Sequence, residues 1–384
     1  MKVIPIILVL ILSICAQFVY FQYAEFCPLH SPSIQNEITS PNILLNDKGH
    51  IINEGWARKP YWKYERSKVK DITRIRIKEW DYYATISHHH KFGIAATISD
   101  LSYGSLLALT YIDLENGTTT QIDAMEFFTF GKMNLSSSSN VDNVVEWSNS
   151  NFSLRFERRG SIRYLTLSAP KMKISEDRIG LFANLTLFQS PLMESMNIAT
   201  SWAKDRTSFY LNEKVNCMKT KGIIKVGKTE FKLKMADALS VLDWGRGKWT
   251  YQNRWYWSSL SAYVNGELFG FNLGYGFSDR SSATENVIFY KEKAHKIDQV
   301  VFNIPQKNGE IIYTDPWTIT SNDGRLSLDF VPIVDRSSKV DFVAIKSIQH
   351  QVFGNFSGNV TLDNGKVVVV KDIYGFAEDV FNRW

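Results

Sequence analysis

An acid and a guanidinium stand among indoles in the stretch Asp243-Trp244-Gly245-Arg246-Gly247-Lys248-Trp249, and Trp255-Tyr256-Trp257 follows at once. Four of the eleven tryptophans therefore fall within fifteen residues. Tryptophan brings a large apolar body and a donor that needs a partner, which suits places where apolar and polar surfaces meet. A carboxyl group walled by such rings loses solvation, which raises its pKa, while a nearby guanidinium opposes the rise. In that setting Asp243 would serve as a general acid toward an alkene or ester oxygen, or as a base, tuned by Arg246. The competing reading is a structural Asp243/Arg246 ion pair that pins a loop. Gly245 and Gly247 predict a turn between the two groups.

Asn265-Gly266 between two apolar runs specifies a tight hairpin and fixes its register. Val264 then faces Glu267, Tyr263 faces Leu268, Ser259 faces Asn272 and Trp257 faces Gly274. Alternation gives one face the bulky set Tyr256, Leu260, Ala262, Val264, Phe269, Phe271, Leu273 and Tyr275. The other carries Trp255, Trp257, Ser259, Ser261, Gly270, Asn272 and Gly274. Small residues beside indoles predict a cavity floor, with strand glycines tolerated for close approach of a ligand or of another backbone. The expected ligand-contacting set is Trp244, Trp249, Trp255, Trp257, Ser259, Asn272, Glu285 and Asn286.

Other groups were weighed for chemistry. His88-His89-His90 falls in a turn where successive side chains diverge, so a solvated tip is expected and no metal site. His295 could act as acid or base near Glu285, and His350 stands alone. Glu79, Asp81 and Tyr83 share one strand face, as paired carboxylates for acid–base work or as an exposed polar face. The chain has no Gly-x-Ser-x-Gly elbow, phosphate-cradling glycine loop, His-Glu-x-x-His helix or Cys-x-x-Cys pair. No cofactor is expected.

Short strands carry these residues. Residues 72–87, 92–101, 105–114, 152–158 and 163–168 are rich in β-branched and aromatic types, and Asn-Gly or Asp-Gly turns recur at 116, 265, 308, 323 and 364. The fold class is all-β, as two antiparallel barrels or sandwiches: residues 56–210, and residues 211–384 with the cavity. Residues 25–55, with Pro28, Pro32 and Pro41, read as a stalk. Residues 1–24 read as a transmembrane signal-anchor, because Lys2 precedes an apolar run over 3–21 that is long enough to span a bilayer. A cleaved signal ending near Gln17 is the alternative. The body would then be lumenal or extracellular, or secreted after cleavage. Six sequons, at Asn116, Asn134, Asn151, Asn184, Asn355 and Asn359, agree with that placement. Cys27 and Cys217 could form a bridge there. The 44 basic and 39 acidic residues, net +5, form no concentrated positive stripe, which argues against nucleic acid as a partner.

A set of separated motifs resembles a known family. Gly55-Trp56-Ala57-Arg58-Lys59-Pro60, Lys78-Glu79-Trp80-Asp81-Tyr82-Tyr83, Asp243-Trp244-Gly245-Arg246-Gly247, Trp255-Tyr256-Trp257, Asn272-Leu273-Gly274, Thr284-Glu285-Asn286, Asp315-Pro316-Trp317 and the closing residues 378–384 occur in the order seen in domain of unknown function 2804. More distantly, the Asp-containing Trp-Gly segment followed by a Trp-x-Trp strand and an Asn-Gly hairpin is similar to the hydroxyneurosporene synthase and AttH-like group. That resemblance implies a pair of lipocalin-like barrels and, in hydratase members, an acidic residue that protonates an isoprenoid double bond. Asp243 would be its counterpart, although here it abuts Trp244 without intervening residues. The expected function is binding of a lipid, isoprenoid or other largely apolar small molecule. The alternatives are a hydratase, cyclase or isomerase that uses Asp243, and a carbohydrate-contacting or structural surface protein.

Overall fold

A computed structural model of the chain describes residues 32–341 and 345–383. The hairpin written from the sequence is present pair for pair, from Val264 opposite Glu267 to Tyr256 opposite Tyr275. Asn265 and Gly266 both have positive φ, 52° and 79°, as the two-residue turn requires. β-Branched and aromatic runs elsewhere form strands by the same logic: Ile77–Ser87, Phe92–Asp100, Gly104–Asp113, Ser153–Arg159 and Ile162–Lys173. Residues 72–76, expected to open the first of these, form turns instead, with Arg74 at φ 57°. Among the described residues the only helical element is the single turn Arg66–Lys68.

The strands make two large sheets. Twelve strands between Gly55 and Lys248 form the first, with Ile77–Ser87, Thr229–Lys248 and Phe209–Val226 adjacent near its middle. Nine strands between Gln252 and Arg383 form the second, where Gln252–Val264 lies between Glu267–Tyr275 and Val367–Arg383. The chain thus passes from one sheet to the other at residues 249–251. Each sheet curls around its own apolar core, one built on residues such as Phe92, Leu109, Leu185 and Met218, the other on Phe271, Trp317, Phe330 and Phe356.

Between the sheets lies a third layer. Trp56, Trp202, Tyr210 and Trp249 of the first sheet's side pack with Leu268, Phe277 and Phe289 of the second. Tyr82, Ala84 and Val241 meet Trp257, Phe353 and Phe376 beside them. Period-two alternation explains how single strands serve two layers: along Phe209–Val226, Leu211 and Val215 enter the first core while Tyr210 faces the seam.

The part of the 25–55 segment that is described runs along the body. Ile34 and Asn36 donate their amides to the carbonyls of Ser281 and Ser282, and Leu44 and Leu45 are buried in the first core. The apolar run over 3–21 and Cys27 lie outside the described residues, and among those described no helix is long and apolar enough to cross a membrane. Cys217 is buried and carries a free thiol.

Candidate functional site

The seam's chemistry starts from three neighbouring strands of the first sheet. Register places Lys214 opposite Asp243 and Asp243 opposite Tyr82, so the three side chains form one row facing the second sheet. Lys214 Nζ is 2.7 Å from Asp243 Oδ2, and Asn212 Nδ2 donates to Asp243 Oδ1 at 2.6 Å. The same ammonium sits 3.8 Å from the centre of the Trp257 ring, a close cation–π contact. Trp257 in turn stands opposite Gly274 on one neighbour and Glu378 on the other. Its indole donates to Asn272 Oδ1 at 2.7 Å and meets Tyr82 and Phe376 edge-on.

Two further carboxyl groups join this row. Glu378 is buried, accepts from Gln351 Nε2, and burial pushes its pKa up to about 7 against the opposing charges of Arg336 and Lys214. Gln351 also donates to Tyr82 Oη at 3.2 Å, which links that phenol to the acid. Glu285 is buried over Gly274 and accepts from Tyr210 Oη at 3.2 Å. Burial raises the pKa of Glu285, the Asp243 charge adds to the rise, and Lys214 opposes it. The Tyr82 and Tyr210 phenols are likewise pushed up by burial. The seam therefore gathers an ion pair, two carboxyl groups whose hold on a proton burial strengthens, and two neutral phenols. Within such a set Glu378 can give and take a proton near neutral pH.

The expected Asp243/Arg246 partnership is not formed. Residues three apart on a strand point to opposite faces, so Asp243 faces the seam while Arg246 enters the first core. There Arg246 pairs with Asp81 at 2.9 Å, lies 4.1 Å from the centre of the Trp244 ring and donates to the carbonyls of Trp80 and Ser136. Gly245 and Gly247 make no turn but lie inside the strand Thr229–Lys248. A Cβ on Gly245 would sit 2.0 Å from the Trp80 ring, so the glycine is what lets that indole lie across the strand.

The expected cavity floor is also occupied. Trp257 is only 6% exposed, and a Cβ on Gly270 would meet Cys217 Sγ at 2.7 Å while one on Gly274 would meet Glu285 Oε1 at 1.7 Å. The first sheet fills the space over Gly270, and Glu285, from the loop before Val287–Tyr290, fills that over Gly274. Asn216 Nδ2 donates to Ser259 Oγ and to the carbonyls of Leu260 and Phe271, and Ser261 Oγ accepts the Cys217 amide. Trp249 and Trp255 belong to the aromatic cluster with Trp80, Trp202 and Phe277. Asn286 braces the hairpin, accepting from the Gly274 amide at 2.7 Å and donating to the Asp298 carbonyl.

Of the remaining candidates, Glu79 and Asp81 are buried rather than exposed, held by Tyr64 with Arg66 and by Arg246 respectively. The three histidines form a turn in which His89 is exposed, while His88 is half-buried, 3.0 Å from the Ser261 carbonyl oxygen and stacked on Tyr374. His295 pairs with Asp363 and His350 with Asp335. Asn116, Asn134, Asn151, Asn184 and Asn359 are exposed, and Asn355 is half-buried. Lys214, Tyr210, Asn212, Tyr82, Gln351 and Glu378 escaped the sequence reading. The available signal was the alternation Tyr210, Asn212, Lys214, Asn216 along one long strand, a polar stripe opposite Leu211 and Val215.

A family model described as a domain of unknown function, DUF2804, matches residues 35–384. The chain belongs to this family. No curated protein matches the sequence of this DUF2804 member. Among solved structures, that of CghA aligns with a TM-score of 0.50 at 9% identity, over 94% of this chain and 97% of that one. Kievitone hydratase from Nectria haematococca aligns with 0.48 at 13%, over 79% and 88% of the two chains. An AttH-like protein from Nitrosomonas europaea gives 0.48 at 10%, over 80% and 93%. The alignment with CghA shows a common all-β fold.

Proposed function

We propose that this DUF2804 protein handles a small, largely apolar molecule at the seam between its two lipocalin-like halves by acid–base chemistry of the hydratase, cyclase or isomerase class. Glu378 is the proton donor in this reading, Glu285 a second proton carrier, and the Lys214–Asp243 pair the fixed charge that a polarised intermediate would meet. The observation that carries it is the convergence of these four groups in one water-poor layer walled by Trp257, Tyr82 and Phe376. Asp243, the acid expected from the sequence, becomes the ion-pair partner of Lys214, and its charge helps Glu378 keep its proton. Anchoring through residues 1–24 and a lumenal or extracellular body belong to the same proposal.

A second reading has its own support. The filled spaces over Gly270 and Gly274 are what a purely structural seam between two sheets would have. The test is organic extraction of the purified full chain followed by mass spectrometry, then incubation of any recovered molecule with wild type and Glu378→Gln. Recovery of an apolar compound that wild type alone converts to an isomer or a water adduct supports catalysis. Repeatedly empty protein, with no conversion by wild type, would leave the seam as structure.

A further inference from the structure

One end of the first sheet displays apolar side chains that no other described part of the chain covers. Phe127 is 69% exposed, Phe128 67%, and Ile72 fully so, with Phe130 and Ile75 also exposed. The aromatic rings stay together outside the core, Phe127 next to Phe128 and Phe128 stacked with Phe130 at 6.5 Å. Phe128 and Phe130 hold positive φ, 58° and 46°, an uncommon conformation for bulky residues and one that costs free energy. Hydrogen bonds tie the loops concerned into one surface. Phe128 and Phe130 donate their amides to Tyr103 and Ser102, Arg66 donates to Ser102 Oγ, and Lys78 Nζ donates to the carbonyls of both Ile75 and Leu101.

The same end is basic. Residues 63–76 hold six basic side chains against two acidic ones, and Lys63, Lys68, Lys70 and Arg74 are exposed. Apolar projections ringed by cations match a surface that is apolar inside and anionic at its rim.

The covalent chain points to the same partner. Ile34 joins Ser281, Asp279 pairs with Arg206, and Asp205 pairs with Arg76, so the first described residues connect through short contacts to the loop that carries Ile72 and Ile75. Eleven residues separate Phe21, the end of the apolar run, from Ser33, a reach of about 40 Å when fully extended. We infer that this end of the first sheet docks on the phosphate-bearing surface of the phospholipid bilayer that the apolar run would enter, with Phe127, Phe128, Phe130, Ile72 and Ile75 at headgroup depth. The inference rests on the anchoring proposed for residues 1–24 and is independent of the seam chemistry.

The test uses the full chain reconstituted in vesicles of phosphatidylcholine and phosphatidylserine. The photo-reactive p-benzoylphenylalanine replaces Phe128 in one sample and Val369, an exposed position on the second sheet, in another. Irradiation should give lipid adducts at 128 and none at 369, and Phe127→Ser with Phe130→Ser should sharply lower the yield at 128. A crosslink from 128 to a second copy of the chain would overturn the inference in favour of self-association. Equal lipid adducts at both positions, no adduct at 128, or a chain that stays out of the vesicles would overturn it as well.

Discussion

Replacing Glu378 by glutamine isolates the most consequential group of the seam. Burial lifts this carboxyl from an ordinary 4.5 to about 7, so between those values the native protein keeps a proton that the unfolded chain releases. The sign follows: the stability that this group contributes is fully present below about pH 4.5, declines as pH rises, and is gone once pH passes 7. The displacement corresponds to about 3 kcal/mol. Glutamine imitates the protonated acid at every pH and can still accept from Gln351 Nε2. The two proteins should therefore unfold at similar urea concentrations at pH 5, and the variant should become the more stable by about 3 kcal/mol at pH 8. Indole fluorescence reports the transition directly, since Trp257 stands beside the substituted group. Glu285, also raised, tilts both curves the same way and cancels in the comparison. A wild-type-minus-variant difference that stays constant from pH 5 to pH 8 would refute the claim that Glu378 is held protonated, and the proton-donor assignment with it.

Lys214→Met or Asp243→Asn alone strands a buried charge and should cost about 3–5 kcal/mol, whereas the double variant should cost clearly less than the sum. Additive losses in urea titrations would mean that the 2.7 Å pair contributes no coupling. Gly274→Ala would place a methyl carbon 1.7 Å from Glu285 Oε1 and should destabilise by roughly 1–3 kcal/mol, with most of that loss recovered by adding Glu285→Ala. If the second substitution fails to recover stability, Glu285 does not lie over that glycine.

The hairpin was legible because its information is local. Asn265-Gly266 sets a two-residue turn, and period-two alternation then fixes every pair and both faces. The strands around it, the all-β class and the family motifs were readable for the same reason, since propensity and turn chemistry act over a few residues. Alternation also contained the separation of Asp243 from Arg246, once the segment is taken as a strand and not as a turn. The two glycines that suggested a turn answer to close neighbours instead: the Trp80 ring, more than 160 residues away in sequence, lies against Gly245, and the Phe209 carbonyl against Gly247. Local pattern could not decide what stands in front of a face of small residues and indoles. That depends on what packs there, and here Asn216 and Cys217 of the first sheet and Glu285 of a loop in the second half fill the space.

Which side chains share a face can be read along one strand, because the backbone repeat sets it without reference to anything distant. That Lys214, Asp243, Glu285 and Glu378, spread over 165 residues of chain, lose water together in one layer follows from how the two sheets pack. Desolvation and charge pairing are properties of that shared environment, and no single strand carries them.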